Sequence, residues 1–169
     1  MDFSSPTNPW NALRESLAGF FTAHARGLPA RSFVLLRDGE EFGLLGLDGT
    51  AGANLSAGVI RAEIRRGTGH GYRMTSGGLE ILTVRREKGS ADRLEISCDG
   101  IVYEARTSFL RNKATADSTS GEEVRINGGL SGRSYEVAFE AGDGRVPAVA
   151  VFLLYHTVAY RSQAYLMSR

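Results

Sequence analysis

From Ser32 onward the chain repeatedly alternates apolar and polar residues with a period of two, and near its C-terminal end the alternation stops. In VIRAEIRRG, Ile60, Ala62 and Ile64 fall on one side and Arg61, Glu63 and Arg65 on the other, the pattern of a half-buried strand. Leu94, Ile96 and Cys98 repeat it before Asp99-Gly100, and Ile101, Tyr103 and Ala105 after it; Tyr135, Val137 and Phe139 repeat it again. Asp38-Gly39 and Asp99-Gly100 each split two apolar runs by two residues, a strong hairpin signal, and Ser76-Gly77-Gly78 plays the same part in YRMTSGGLEILTVRRE. By contrast VPAVAVFLLYHTVAY, Val146 to Tyr160, carries no formal charge and is apolar on every side of a helix. Such a helix sits inside a core or a bilayer rather than on a surface.

At 1.5 Å rise per residue the uncharged run spans roughly 22 Å, short of the roughly 30 Å of bilayer hydrocarbon, and His156 lies in its second half. A membrane span is therefore the weaker reading. The economical arrangement is a sheet wrapped around the helix: an all-β, closed antiparallel barrel enclosing a central hydrophobic C-terminal helix, since closure also removes exposed strand edges. About nine or ten strands are expected, with one long polar loop over Arg111 to Glu123. Pro147 suits the first turn of the central helix, and Asp143 or Gly144 offers its cap.

Leu13, Leu17, Phe20, Phe21 and His24 recur at helical spacing behind Asn8, a candidate cap, and Pro9. They predict an amphipathic N-terminal helix over 9–25 that packs across or plugs one end of the sheet. The expected organisation is a helical extension over 1–28 followed by the barrel over 29–169.

Of the 169 residues 42% are hydrophobic and 23% charged, which fits one globular core. The net charge of +1 supplies no global field toward nucleic acid. Cys98 is the single cysteine, so an internal disulfide or a cysteine zinc cluster is excluded. With no basic-then-apolar leader in MDFSSPTNPWNALRES, the expected location is cytoplasmic, with peripheral membrane association.

The late strand GRSYEVAF, Gly132 to Phe139, the acidic-glycine turn after it and the uncharged helix beyond resemble the tubby-like superfamily, which includes tubby proteins, LURP-one-related proteins and phospholipid scramblases. Hairpins such as GYRMTSGGLEILTVRRE are similar to its paired strands, so the likeness covers about residues 30 to 165. The resemblance implies twelve strands around a central helix. Kinship with tubby proteins implies phosphoinositide binding through basic side chains, and kinship with scramblases implies membrane lipids and calcium. No lipid-binding or calcium motif carries over residue by residue.

Candidate chemistry is basic. Residues 59–113 hold 11 Lys+Arg against 7 Asp+Glu, and the remainder 9 against 12. Arg65, Arg66, Arg73, Arg85, Arg86 and Lys88 lie near strand ends or turns, where cations can converge on an anionic group, and Arg111 and Lys113 at the mouth of the polar loop can join them. The bland alternative is a set of solvated charges guarding strands against edge pairing. The glycine-rich GTGHGYRM, with His70 at its tip, runs toward a strand and lacks P-loop spacing, so it reads as a turn. His24, His70 and His156 have no neighbour at metal-ligand spacing, and His156 reads as a core histidine bonded to a nearby residue or a barrel-wall group. Cys98 reads as an inert core thiol, and the Asp-Gly pairs as turn chemistry rather than calcium loops.

The expected function is a non-catalytic binding module for anionic phospholipid headgroups at a membrane surface, with no cofactor, metal or nucleic acid. The alternative is a protein-interaction or scaffold domain whose N-terminal helix offers Trp10 and Phe20 or Phe21 as an apolar contact.

Overall fold

The computed structural model describes residues 1–167 apart from Gly49, Thr50, Thr68, His70, Gly89, Ala91, Phe109 and Ala141; over 162–167 it describes the helical backbone alone. The glycine-rich turn's His70 thus lies outside the described residues. Twelve antiparallel strands close into one barrel in the order β1-β12-β11-β10-β9-β8-β7-β6-β5-β4-β3-β2. They are β1 (Phe20–Arg26), β2 (Ser32–Arg37), β3 (Glu40–Asp48), β4 (Gly52–Ala57), β5 (Ile60–Arg66), β6 (Tyr72–Ser76), β7 (Leu79–Arg86), β8 (Arg93–Cys98), β9 (Ile101–Ser108), β10 (Lys113–Ser118), β11 (Glu123–Gly128) and β12 (Ser134–Glu140). A short helix, α1 (Pro9–Leu17), precedes them, and a long one, α2 (Arg145–Met167), follows.

The uncharged run is buried as its pattern requires. From Val146 to Tyr155, the residues of α2 in the hydrophobic core are at most 1% exposed. The wall accommodates the helix through side-chain size. The inward positions of β10 are Ala114 and Ala116, β9 adds Ala105 between Tyr103 and Thr107, and α2 packs nearest β8 and β10–β12. Opposite, Phe33, Leu35, Leu45, Ile64 and Met74 fill the wider space. Among the described residues no helix is long and apolar enough to cross a membrane.

The N-terminal element differs from the helix expected over 9–25. Asn8 caps it as anticipated, its side chain accepting from Trp10 N–H at 2.9 Å, but the helix stops at Leu17 because Ala18 (φ 51°) and Gly19 (φ 87°) turn the backbone left-handed. Phe20–Arg26 is then β1, paired with β12 and β2, and it closes the barrel, so the wall begins nine residues before the expected boundary at 29. The helical spacing extends too far because Phe20, Phe21 and His24 continue the stripe of Leu13 and Leu17, whereas the buried Phe21 and Ala23 alternate as strand positions. The polar stretch Arg111 to Glu123 likewise contains a strand, β10, and GANLSA forms β4, which raises the count to twelve.

The barrel's two ends are unlike. At the end where α2 enters, α1 and the segment before it form a lid: Phe3, Trp10 and Leu17 are each 1% exposed, and Trp10 Nε1–H donates to Ser76 Oγ at 3.2 Å. Beside it the buried Glu122 carboxylate accepts from Tyr103 Oη–H at 2.8 Å and Arg145 Nη2–H at 3.3 Å, and Asp143 Oδ1 caps the first turn of α2 through Arg145 N–H at 3.0 Å. Gly144 sits so close beneath α1 that a Cβ there would come within 2.7 Å of the Asn11 nitrogen. At the opposite end α2 leaves the barrel past Tyr160 and Arg161.

Near that exit His156 is 2% exposed, with Nδ1 3.2 Å from Thr107 Oγ1 on the wall, its ring stacked between Phe152 and Tyr160 and edge-on to Tyr72. It is the core histidine the sequence suggests. Burial, with the Arg86 cation adding to it, pushes its pKa from 6.5 down to about 4.

Two outcomes follow. Phe152→Ala, which empties the middle of the core, should destabilise the protein by about 3–5 kcal/mol in urea unfolding, whereas Val59→Ala, on an exposed hairpin, should stay within about 0.5 kcal/mol. Because the unfolded chain protonates its imidazole below pH about 6.5 and the folded chain only near pH 4, the His156 contribution is complete above that window and is lost as the pH falls through it, at about 1.4 kcal/mol per pH unit. Urea midpoints at pH 7 and pH 5 should show a smaller acid loss in His156→Asn than in the parent; equal losses would refute the assignment.

Candidate functional site at the helix-exit end

Antiparallel strands that alternate in direction place each residue toward one end of the barrel or the other. Among the described residues fourteen cations lie toward the exit end: Arg26, Arg31, Arg65, Arg66, Arg73, Arg85, Arg86, Lys88, Arg93, Arg106, Arg111, Lys113, Arg133 and Arg161. Four carboxylates accompany them: Asp48, Glu87, Asp92 and Glu136. Toward the entry end, five cations (Arg14, Arg37, Arg61, Arg125, Arg145) meet twelve carboxylates, and Glu63, Glu95 and Glu104 stand at mid-strand. The near-neutral net charge therefore conceals a strong axial separation. All eight cations singled out from the sequence fall at the exit end.

They do not form one patch. A cleft of about 530 Å³ over β7–β9 is lined by Arg85, Arg86 and Lys88 together with Arg93 and Arg106, which the sequence reading missed. An adjoining cleft of about 580 Å³ shares Arg106 and adds Arg111, Lys113 and Tyr160. Arg65, Arg66 and Arg73 line a third, of about 510 Å³, over β5 and β6.

Strand parity further divides neighbouring cations. Arg65 and Arg85 point outward and are neutralised, Arg65 by Glu63 at 2.8 Å and Asp48 at 3.8 Å, Arg85 by Glu95 at 2.7 Å. Arg73 pairs with Glu80 at 3.2 Å. These three fit the strand-guarding alternative. Arg66 and Arg86 continue the inward row at the barrel mouth, where Arg86 is half-buried with a buried Nε that has no hydrogen-bond partner among the described residues. Burial pushes the Tyr155 hydroxyl beneath them up to about 12, against the pull of Arg66 and Arg65.

Arg93 and Arg106 stand directly opposite each other on β8 and β9, as the ion-paired Arg65 and Arg73 do on β5 and β6. Like charges facing across a ladder are destabilising. Arg93 and Arg106 are both exposed, and among the described residues neither has a carboxylate within ion-pair distance, nor do Lys88, Arg111 or Lys113. Asp92, held below the usual carboxylate range by the Ser90 hydroxyl and its backbone, feels both arginines. One step toward the entry end the sign reverses: Glu95, Glu104, Asp117, Glu123 and Glu140 are successive partners across β8 to β12, an unbroken carboxylate row on the outer wall. An anion is attracted to the rim and repelled by the wall.

Cys98 and Tyr103 are sealed away from these clefts, whereas His24 is exposed and lines a separate cleft with Thr22, Asn127, Ser134 and Glu136. Cys98 is buried, and desolvation pushes its thiol up to about 12. Tyr103 is raised well above its ordinary range by burial and by its bond to Glu122. The described residues hold no cluster of three or more His, Cys, Asp or Glu able to bind a metal ion. Of the residues that the alternative reading offers as an apolar contact, Trp10 and Phe21 are each 1% exposed, while Phe20 is 36% exposed. No family model, curated protein or solved structure matches the chain.

Proposed function

We propose that the protein is a non-catalytic module that docks on anionic phospholipid headgroups, with the exit end of its barrel against the membrane surface. The observation that carries this reading is the segregation of cations to that end, above all the facing Arg93 and Arg106, which make no ion pair among the described residues, with Lys88 beside them. A like-charge pair kept on an exposed ladder costs stability that an anionic partner recovers. Kinship with the tubby-like superfamily is part of the proposal, supported by the twelve strands closed round a central helix. Burial of Cys98 and Tyr103 away from the clefts supports a binding rather than a catalytic role. The location that fits is cytoplasmic and peripheral.

Co-sedimentation with phosphatidylcholine vesicles, with and without phosphatidylserine, tests it. Binding should require the anionic lipid and weaken with salt. At about 1 kcal/mol per cation near such a surface, Arg93→Glu with Arg106→Glu should weaken it on the order of tenfold or more, while Arg37→Glu at the entry end leaves it unchanged. Equal binding to both vesicle types, or to neither, removes the reading.

A further inference from the structure

The exit rim carries apolar side chains as well as charge. Leu28, Leu110 and Leu130 are 90%, 91% and 97% exposed. One exposed leucine needs no explanation, but these three occupy the β1–β2, β9–β10 and β11–β12 connections, which are consecutive around the rim because the strand order there runs β2-β1-β12-β11-β10-β9. Each has an arginine within three residues along the chain: Arg31, Arg111 and Arg133.

Nor do the three connections stand independently. Arg133 Nη2–H donates to Gly27 O at 2.9 Å, joining the loops of Leu130 and Leu28, and Asn112 Nδ2–H donates to Gly129 O at 2.9 Å, joining those of Leu110 and Leu130. Arg161, on the emerging helix, donates to the Leu130 carbonyl. Hydrogen bonds that tie the loops together while leaving the leucines bare hold an apolar triad outward at little further cost in ordering.

Resting on the docking reading above, we propose that Leu28, Leu110 and Leu130 insert into the boundary between headgroups and acyl chains of an anionic bilayer. Arg31, Arg111 and Arg133 then lie at phosphate level, and the basic clefts over β7–β9 face the headgroups beside them. Charge chooses the bilayer over other apolar partners: the leucine-bearing rim belongs to the cationic end, whereas the exposed Val59 and Leu79 belong to the acidic one.

The test uses the full chain, with Trp10 as a constant buried background, and single tryptophans replacing Leu28, Leu110, Leu130 or, as an entry-end control, Val59. On phosphatidylserine-containing vesicles with acyl-brominated phosphatidylcholine, the three rim tryptophans should shift to the blue and be quenched, and Val59→Trp should not. A triple Leu→Ser variant should keep salt-sensitive binding, weakened about tenfold for each leucine that inserts fully. Rim tryptophans that stay unquenched while the protein binds would overturn insertion and leave headgroup docking intact; a parent that binds neither vesicle type would end both. Self-association of the parent without lipid, lost in the triple variant, would assign the leucines to a second copy of the chain and overturn the proposal.

Discussion

Everything in this structure follows from placing a helix that is apolar on all sides within a wall that has no edge. A surface helix needs one covered stripe, but α2 needs cover in every direction, and a sheet supplies that when its first and last strands meet. The pairing of β1 with β12 makes that closure, and the alanines of β9 and β10 let the wall approach the helix on one side while larger side chains fill the other. Burying the side chains from Val149 to Leu154 contributes roughly 1.5–3 kcal/mol for each large one before entropy is set against it. The Glu122, Arg145 and Asp143 contacts then fix the depth at which α2 begins.

A filled interior leaves no lumen, so recognition moves to the ends, and the ends are chemically opposite. One is closed by Trp10 and Phe3 and surrounded by carboxylates; the other is where the helix leaves, among cations and bare leucines. Such a molecule has an electrostatic orientation before it touches anything. The carboxylate row from Glu95 to Glu140 resists lying sideways on an anionic surface, and the arginine-rich rim favours standing upright on it.

The barrel and its central helix were legible because period-two alternation and an uncharged helical run are strong, local signals. What escaped were strands whose residues also fit another pattern: Phe20, Phe21 and His24 within a helical stripe, and Ala114 and Ala116 within a polar stretch, where alanine marks a wall close to the helix rather than a loop. Charge at the exit end was legible in outline as the surplus over 59–113. Its organisation was not, because a cation's role depends on parity and on neighbours far away in the chain. Arg65 and Arg66 are adjacent yet face different surroundings, and Arg93 meets Arg106 only once β8 and β9 are in register. The leucines of the rim are single residues in three separate turns, and only barrel closure brings their connections side by side.

The most direct measurement of the central claim, that the exit end is the membrane-facing end, is amide hydrogen exchange on vesicles with and without anionic lipid. Added protection is expected in the connections 27–31, 87–92, 109–112 and 129–133, with the entry-end hairpins at 38–39 and 99–100 unchanged. Protection concentrated at the entry end, or spread evenly around the wall, would contradict the account.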